Sequence, residues 1–372
     1  MNRLTISAAS LVFATAAFAQ GTTTIGGYGE LHFNKPTVTP GKISSSAREG
    51  VLDFHRFVLF AGHNFNDWIS FKSELEIEHT LLEDSNDGSG SGAPGELALE
   101  QAYIDLAFRK EIGVRAGILM VPVGIINEEH EPSTFHGVER PNVDRYIIPS
   151  TWRESGAGVY GQLGDGFKYR AYVMAGLKPE GISKNGIRSS RQEAAESSTK
   201  TVAFTGKLEY VPTLDIKTGV SFFTSSLGDS RFTMGEADVQ YNSGSLFLRN
   251  VVVYSFISDV KKLNALYGNN AGDSQFGFYS EAAYDILPLI TESEQKWFFF
   301  GRFEKYNVQN TVDSSDPNSS FVGGLNKSEW VLGTTWKPIE NVAIKADYQF
   351  ITPDGAKESA QHLNVGFGYF FY

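Results

Sequence analysis

Along most of this chain after Thr23, apolar and polar side chains alternate strictly over eight or nine residues at a time. A period of two belongs to a β-strand with unlike faces, whereas an α-helix repeats every 3.6 residues. In Val342–Phe350 one face carries Val342, Ile344, Ala346, Tyr348 and Phe350, and the other Ala343, Lys345, Asp347 and Gln349. Val202–Tyr210 sets Val202, Phe204, Gly206, Leu208 and Tyr210 against Ala203, Thr205, Lys207 and Glu209. Ala102–Arg109 repeats the split. With a flanking residue or two, each run approaches the roughly 9–11 residues a tilted strand needs to cross a bilayer. A soluble sandwich more often uses shorter strands.

Such runs place about sixteen strands, near 23–33, 52–63, 69–81, 97–109, 112–119, 156–162, 167–176, 200–210, 214–224, 231–241, 246–258, 275–286, 296–308, 328–337, 341–352 and 361–372. An even count is expected of a bacterial single-chain barrel. The connections alternate in length. Short ones fall at 64–68, 110–111, 163–166, 211–213, 242–245, 287–295 and 338–340. Mostly longer, polar ones fall at 34–51, 82–96, 120–155, 177–199, 225–230, 259–274, 309–327 and 353–360. Short turns on the periplasmic rim and long loops outside are how an outer-membrane barrel divides its two ends. The expected fold is therefore all-β, a transmembrane antiparallel β-barrel. Trp68, Phe108, Tyr210, Tyr241, Tyr284, Trp297 and Trp336 stand in or beside the short turns, as an interfacial aromatic girdle would.

Composition narrows the class further. Cysteine is absent, so there is no disulfide framework and no thiolate metal site. A net charge of −11 argues against a nucleic-acid partner. No segment beyond the N-terminus offers about eighteen uninterrupted apolar residues, so no transmembrane helix is expected. Residues 1–19 have the pattern of a cleaved secretory signal: Arg3, an uncharged apolar core over Leu4–Phe18, and Ala17-Phe18-Ala19 as a small-x-small site. Residues 20–372 then form one barrel domain in outer-membrane lipid.

The stretch at about 120–155 has no sustained period, and Pro122, Pro132, Pro141 and Pro149 exclude a long helix or central strand. Disorder would leave Ile125, Ile126, Phe135, Val138, Tyr146, Ile147, Ile148 and Trp152 in water. The loop after the fifth strand is therefore expected to fold inward as a constriction that carries Glu128, Glu129, His130, Glu131, Glu139, Arg140, Arg145 and Arg153. Facing it would be a basic wall of Arg56, Lys72, Arg115 and Arg170. Alternation turns many other charges inward, among them Glu74, Glu76, Glu78, Lys168, Lys207, Glu209, Lys217, Asp238 and Arg302. A dry core would not tolerate so many, and a water-filled channel would.

Motifs for chemistry are weak. Gly156-Ala157-Gly158-Val159-Tyr160-Gly161 matches G-x-G-x-x-G, but a strand pattern follows where a dinucleotide site needs a helix. Glu128, Glu129, His130, Glu131 and His136 include metal-ligand types without H-E-x-x-H spacing, and a charged loop surface is the simpler reading. No nucleophile, base and acid stand out as a triad. No catalytic residue, cofactor or metal is expected.

At Gly117-x4-Pro122-x-Gly124, at Val138-Glu139-Arg140 and at Tyr28-Gly29-Glu30-Leu31-His32-Phe33, the chain resembles the phosphate-selective porin O and P family of bacterial outer-membrane proteins. The aromatic C-terminus resembles a barrel-assembly signal, with Tyr372 one residue beyond the apolar row that ends at Phe371. The resemblance implies a sixteen-stranded homotrimeric barrel whose inward loop follows the fifth strand. It also implies phosphate selectivity through an arginine ladder, for which Arg56, Arg115 and Arg170 are candidates, together with a lysine cluster. The central loop departs from that pattern: Glu128, Glu129, Glu131, Glu139, Asp144 and Glu154 stand against Arg140, Arg145 and Arg153, with no lysine. The leading expectation is a porin that passes small solutes or inorganic anions such as phosphate. Two alternatives stay open: a barrel enzyme with His130 or His136 as base, and a secreted soluble β-rich binding protein.

Overall fold

In a computed structural model, the residues described are 21–38, 49–80, 95–318, 320–321 and 325–372. The expected signal at 1–19 lies outside the described residues, as do most of the connections at 34–51 and 82–96. Sixteen strands build one sheet. The first eight are β1 (Thr22–Val38), β2 (Val51–Asn64), β3 (Ile69–Glu78), β4 (Glu96–Arg109), β5 (Ile112–Met120), β6 (Arg153–Leu163), β7 (Phe167–Ala175) and β8 (Val202–Thr213). The second eight are β9 (Ile216–Leu227), β10 (Ser230–Ser243), β11 (Leu246–Ser258), β12 (Ser274–Asp285), β13 (Lys296–Thr311), β14 (Asn326–Ile339), β15 (Val342–Pro353) and β16 (Ala360–Phe371). Each pairs antiparallel with its neighbours in chain order, and β1 closes on β16 from Gly27 opposite Phe371 to Val38 opposite Gln361.

All sixteen expected strands are present, with ends that move by a few residues. β1 runs on to Val38 because a register shift between Pro36 and Val38 absorbs the proline, which has no ladder donor to give. The connection expected over 225–230 shrinks to Gly228-Asp229, since β9 and β10 continue to Leu227 and Ser230. Gly228 has φ +72°, which a tight turn needs and a side chain would resist. The G-x-G-x-x-G run lies within β6, so no helix follows it.

Facing follows the alternation. Leu208 and Ile344 are each 42% exposed on the outside, whereas Lys207 and Lys345 point in and are buried. At the short-turn rim, exposed Phe167 and Tyr210 stack at 4.3 Å, and Trp68 meets Phe108 at 5.8 Å. This is an aromatic belt in the expected place.

The interior differs from the open, wet tube the charges suggested. A dry cluster joins Val121, Ile125, Ile147 and Trp152 of the central loop to Leu177, Ile182 and Ile187 from the β7–β8 connection. Inward Phe223, Phe232, Met234 and Val253 complete it. The wall is written for this. Along β10 the buried inward face runs Phe232, Met234, Glu236, Asp238, apolar towards the long-loop rim and ionic towards the short-turn rim.

The facing can be checked in refolding titrations in lipid. Ile344→Arg is expected to cost about 2–4 kcal/mol, as an arginine does on the lipid face near the bilayer midplane. Lys345→Gln loses a cation–π contact to Phe135 and should cost no more than about 1 kcal/mol. Equal costs at the two positions would contradict the assigned facing.

Candidate functional site

The central loop leaves the wall after Met120 and rejoins it at Arg153, whose backbone pairs with Met120. Arg153 therefore belongs to β6 and not to the loop as expected, because the β5–β6 ladder reaches that far. Loop closure rests on Asn127, which is fully buried. Its Nδ2 donates to Val121 O at 2.7 Å and Trp152 O at 3.2 Å, and its Oδ1 accepts from Trp152 N at 2.6 Å. With four prolines and one short helical turn, α1 (Val143–Tyr146), the loop cannot satisfy its own backbone.

The far wall satisfies it instead. Asp347 accepts from Val138 N at 2.6 Å, and Glu304 from Val143 N at 3.1 Å. Asn142 donates to both oxygens of Glu329 at 2.9 and 2.8 Å. Arg302 donates to His136 O and Glu139 O, and Arg249 to Thr134 O. The loop thus crosses the lumen from β5 and β6 to β11, β13, β14 and β15.

Its charged residues divide into two sets. Glu128 and Glu129 face a basic patch on β7–β9: Glu128 lies 3.3 Å from Arg170 and 3.8 Å from Lys207, and Glu129 pairs with Lys217. Glu209 joins the same network, 3.5 Å from Arg170 and 3.3 Å from Lys217. Loop acids face wall bases here, Arg170 among them. Lys207 and Lys217 were readable as inward charges on adjacent strands, yet nothing in the sequence singled them out as partners of the loop.

Arg56 is placed differently. It is buried among Glu30 at 2.7 Å, Glu76 at 2.9 Å and Glu78 at 3.5 Å, so its charge is spent on neighbouring strands and presents no free basic wall. Arg115 holds Asp105 at 2.7 Å and lies over the rings of Tyr103 and Tyr160 at 4.5 and 4.6 Å. Lys72 is exposed and, among the described residues, in no ion pair.

The remaining loop residues lie apart from this patch. His130 is buried with Nε2 3.4 Å from both Glu74 and Glu100. His136 sits among Phe247, Phe298 and Phe300, and burial, helped by Arg249, pushes its imidazole well below the usual range, to the neutral form. Glu139 lies 3.2 Å from His32 and accepts from Asn34 at 2.9 Å. Burial pushes its carboxyl up, but these partners outweigh that and hold it below the carboxylate range. Arg140 donates to His130 O at 3.1 Å, and exposed Arg145 lies over the Tyr146 ring. Glu131 makes no ion pair among the described residues. The metal-ligand types counted along the loop are therefore not brought together.

Cavities open on both sides of the loop. One of about 570 Å³, towards the long-loop rim, is lined by both signs, including Glu139, Glu329, Arg140, Arg145 and Arg188. Another of about 280 Å³ lies at the Glu128–Arg170 network. A third of about 450 Å³ at the short-turn rim is lined by Arg109, Lys110, Arg115, Lys168 and Arg170, with no carboxylate.

No model of a known protein family matches the chain. It is 35% identical over 345 residues to an uncharacterized protein of Aquifex aeolicus strain VF5, covering 87% of this chain and 74% of that protein. Among solved structures it is similar to Salmonella typhi OmpF, with a TM-score of 0.60 and 10% identity over 94% of this chain and 98% of that one. It is also similar to the anion-selective porin from Comamonas acidovorans, with a TM-score of 0.59 and 12% identity over 95% and 100% of the two chains. A loop-deletion mutant of OmpT from Vibrio cholerae follows at 0.57 and 11%, over 94% and 99%. These likenesses establish the fold as that of a porin barrel.

The Asn127 clasp gives a direct test. Asn127→Ala strands the buried Trp152 N–H and takes a second donor from the Val121 and Trp152 carbonyls, each of which keeps one backbone donor, and is expected to destabilise by about 2 kcal/mol. Hydrogen exchange should speed up at Trp152 and through the loop ahead of the wall strands. Unchanged exchange there would refute the clasp.

Proposed function

We propose that this chain, which belongs to the same family as the uncharacterized Aquifex aeolicus protein, is an outer-membrane porin for small hydrophilic solutes, with a preference for anions. The observation that carries the reading is a closed barrel, apolar outside and ionic inside, with cavities on both faces of a loop folded into it. A water-soluble protein has no use for a continuous outward apolar band, and a lipid-embedded one requires it. The short turns then face the periplasm, the cleaved leader at 1–19 accounts for export, and a trimer is the assembly proposed, the form described for Vibrio cholerae OmpT.

Anion preference rests on the short-turn mouth, where five cationic side chains line a cavity without a carboxylate: Arg109 and Lys110 are in no ion pair among the described residues, while Arg115, Lys168 and Arg170 are paired with Asp105, Glu209 and Glu128. Such a lining concentrates ions of opposite sign beside low-dielectric walls. The anion-selective porin from Comamonas acidovorans shares the fold and agrees with that sign. Phosphate fits within the preferred class, with Arg115 and Arg170 able to meet it and Arg56 withdrawn among glutamates. The enzyme alternative loses support, since neither His130 nor His136 lines these cavities and each is buried.

Purified protein in planar bilayers should give stable ohmic steps, and their absence would sink the porin reading. Under a salt gradient the reversal potential should report anion preference. Charge reversal by Lys168→Glu with Arg109→Glu should lower the anion-to-cation permeability ratio at least roughly twofold. Steps with an unmoved reversal potential would leave a pore without the basic selectivity mouth.

A further inference from the structure

We propose that Glu74, Glu100 and His130 form a divalent-metal site, taken best by Zn²⁺, that fastens the inward loop to β3 and β4. It stands independently of the pore reading. The three side chains bring one ligand atom each to within 4.8 Å of one another, and all three are buried.

Spacing is the first reason. His130 Nε2 is 3.4 Å from Glu74 Oε1 and 3.4 Å from Glu100 Oε2. Charge-assisted hydrogen bonds contract to about 2.7–2.9 Å, so an imidazolium gripped by these carboxylates should sit closer. Ligands about 2.1 Å from a tetrahedral zinc, by contrast, lie roughly 3.4 Å apart.

Unmet polar atoms are the second. Glu100 is fully buried, and neither its oxygens nor His130 Nε2 makes a well-formed hydrogen bond, the Thr151 side chain being the one other group that reaches the carboxylate as a donor. Buried carboxylate oxygens left bare are costly, and a cation satisfies them together. Tyr28, whose ring meets His130 edge-on at 6.1 Å, also has a buried hydroxyl without a partner. A water would complete four-coordination.

Orientation is the third. His130 Nδ1 donates to Asn127 O at 3.3 Å, and Gln101 donates to Glu74 Oε2 at 2.7 Å. A ligating histidine characteristically gives its second nitrogen to a carbonyl, which turns the free one towards the metal, and ligating carboxylates are themselves hydrogen-bonded. Two carboxylates and a neutral imidazole balance a divalent ion, and any proton on Nε2 is released as the metal binds. The nitrogen ligand, 3.4 Å from each carboxylate, favours zinc over magnesium or calcium.

A second cluster, Asp53, His55 and His79, serves as the control. It is half-buried, and its donors are already hydrogen-bonded at 3.1 and 2.8 Å.

The test uses the full-length barrel purified in detergent, stripped with a chelator and dialysed against Zn²⁺ or Co²⁺. One Zn²⁺ per chain is expected by elemental analysis, and the Co²⁺ form should show the strong visible bands of four-coordination. Glu100→Gln and His130→Asn, each verified as folded by heat-modifiable migration, should weaken binding by at least about 100-fold. Asp53→Asn should leave binding unchanged. No uptake by the wild type, or only the weak spectrum of six-coordinate Co²⁺, overturns the proposal even if both variants fail to fold. So does uptake that survives Glu100→Gln, or that is lost in Asp53→Asn alone.

Discussion

Closing β1 onto β16 is the constraint on which everything else in the molecule depends. It removes every strand edge and makes each residue either an outside or an inside residue. Once inside, a charged side chain needs water or a partner, and an irregular segment needs hydrogen bonds it cannot make for itself. The two needs are met against each other. Asp347 and Glu304 accept from loop amides, while Arg302 and Arg249 donate to loop carbonyls. The loop lacks regular structure because the wall supplies its backbone partners, and the wall tolerates its ions because the loop supplies theirs.

Most of the architecture was legible because its signal is local. A period of two names a strand and its facing together, so the outward Ile344 and inward Lys345 follow from nine consecutive residues. The inward loop was legible from prolines beside apolar residues that had to be covered. What could not be read depends on register and on contacts across the lumen. Arg56 stands opposite Glu30 on one side and Glu78 on the other, a cage that exists only once both hairpins are aligned. His130 meets Glu74 and Glu100 from strands far away in sequence, and no spacing marks that meeting. The dry half of the lumen had a faint signal in the change from Phe232 and Met234 to Glu236 and Asp238 along one face of β10. Many inward charges elsewhere overrode it.

Not all of the interior ion pairs serve the same end, and magnitude separates them. Arg302 with Glu281 and Glu304 is closed to solvent, with side-chain exposures of 0%, 1% and 0%. Removing one partner there would strand a buried charge, at about 3–5 kcal/mol. No passing solute supplies that, so these pairs are part of the scaffold. The pairs of Arg170 with Glu128 and Lys217 with Glu129 have side chains 19–42% exposed. Water screens such pairs to about 1 kcal/mol or less, comparable with thermal energy, so they open and re-form readily. Charges that swap partners at so small a cost can hand an ion from one to the next without trapping it, which conduction through a charged pore demands. The proposed path therefore belongs on the β7–β9 side of the loop, where the ions are loosely held, while the apolar cluster towards the long-loop rim and the closed pairs on β12 and β13 keep the loop in place.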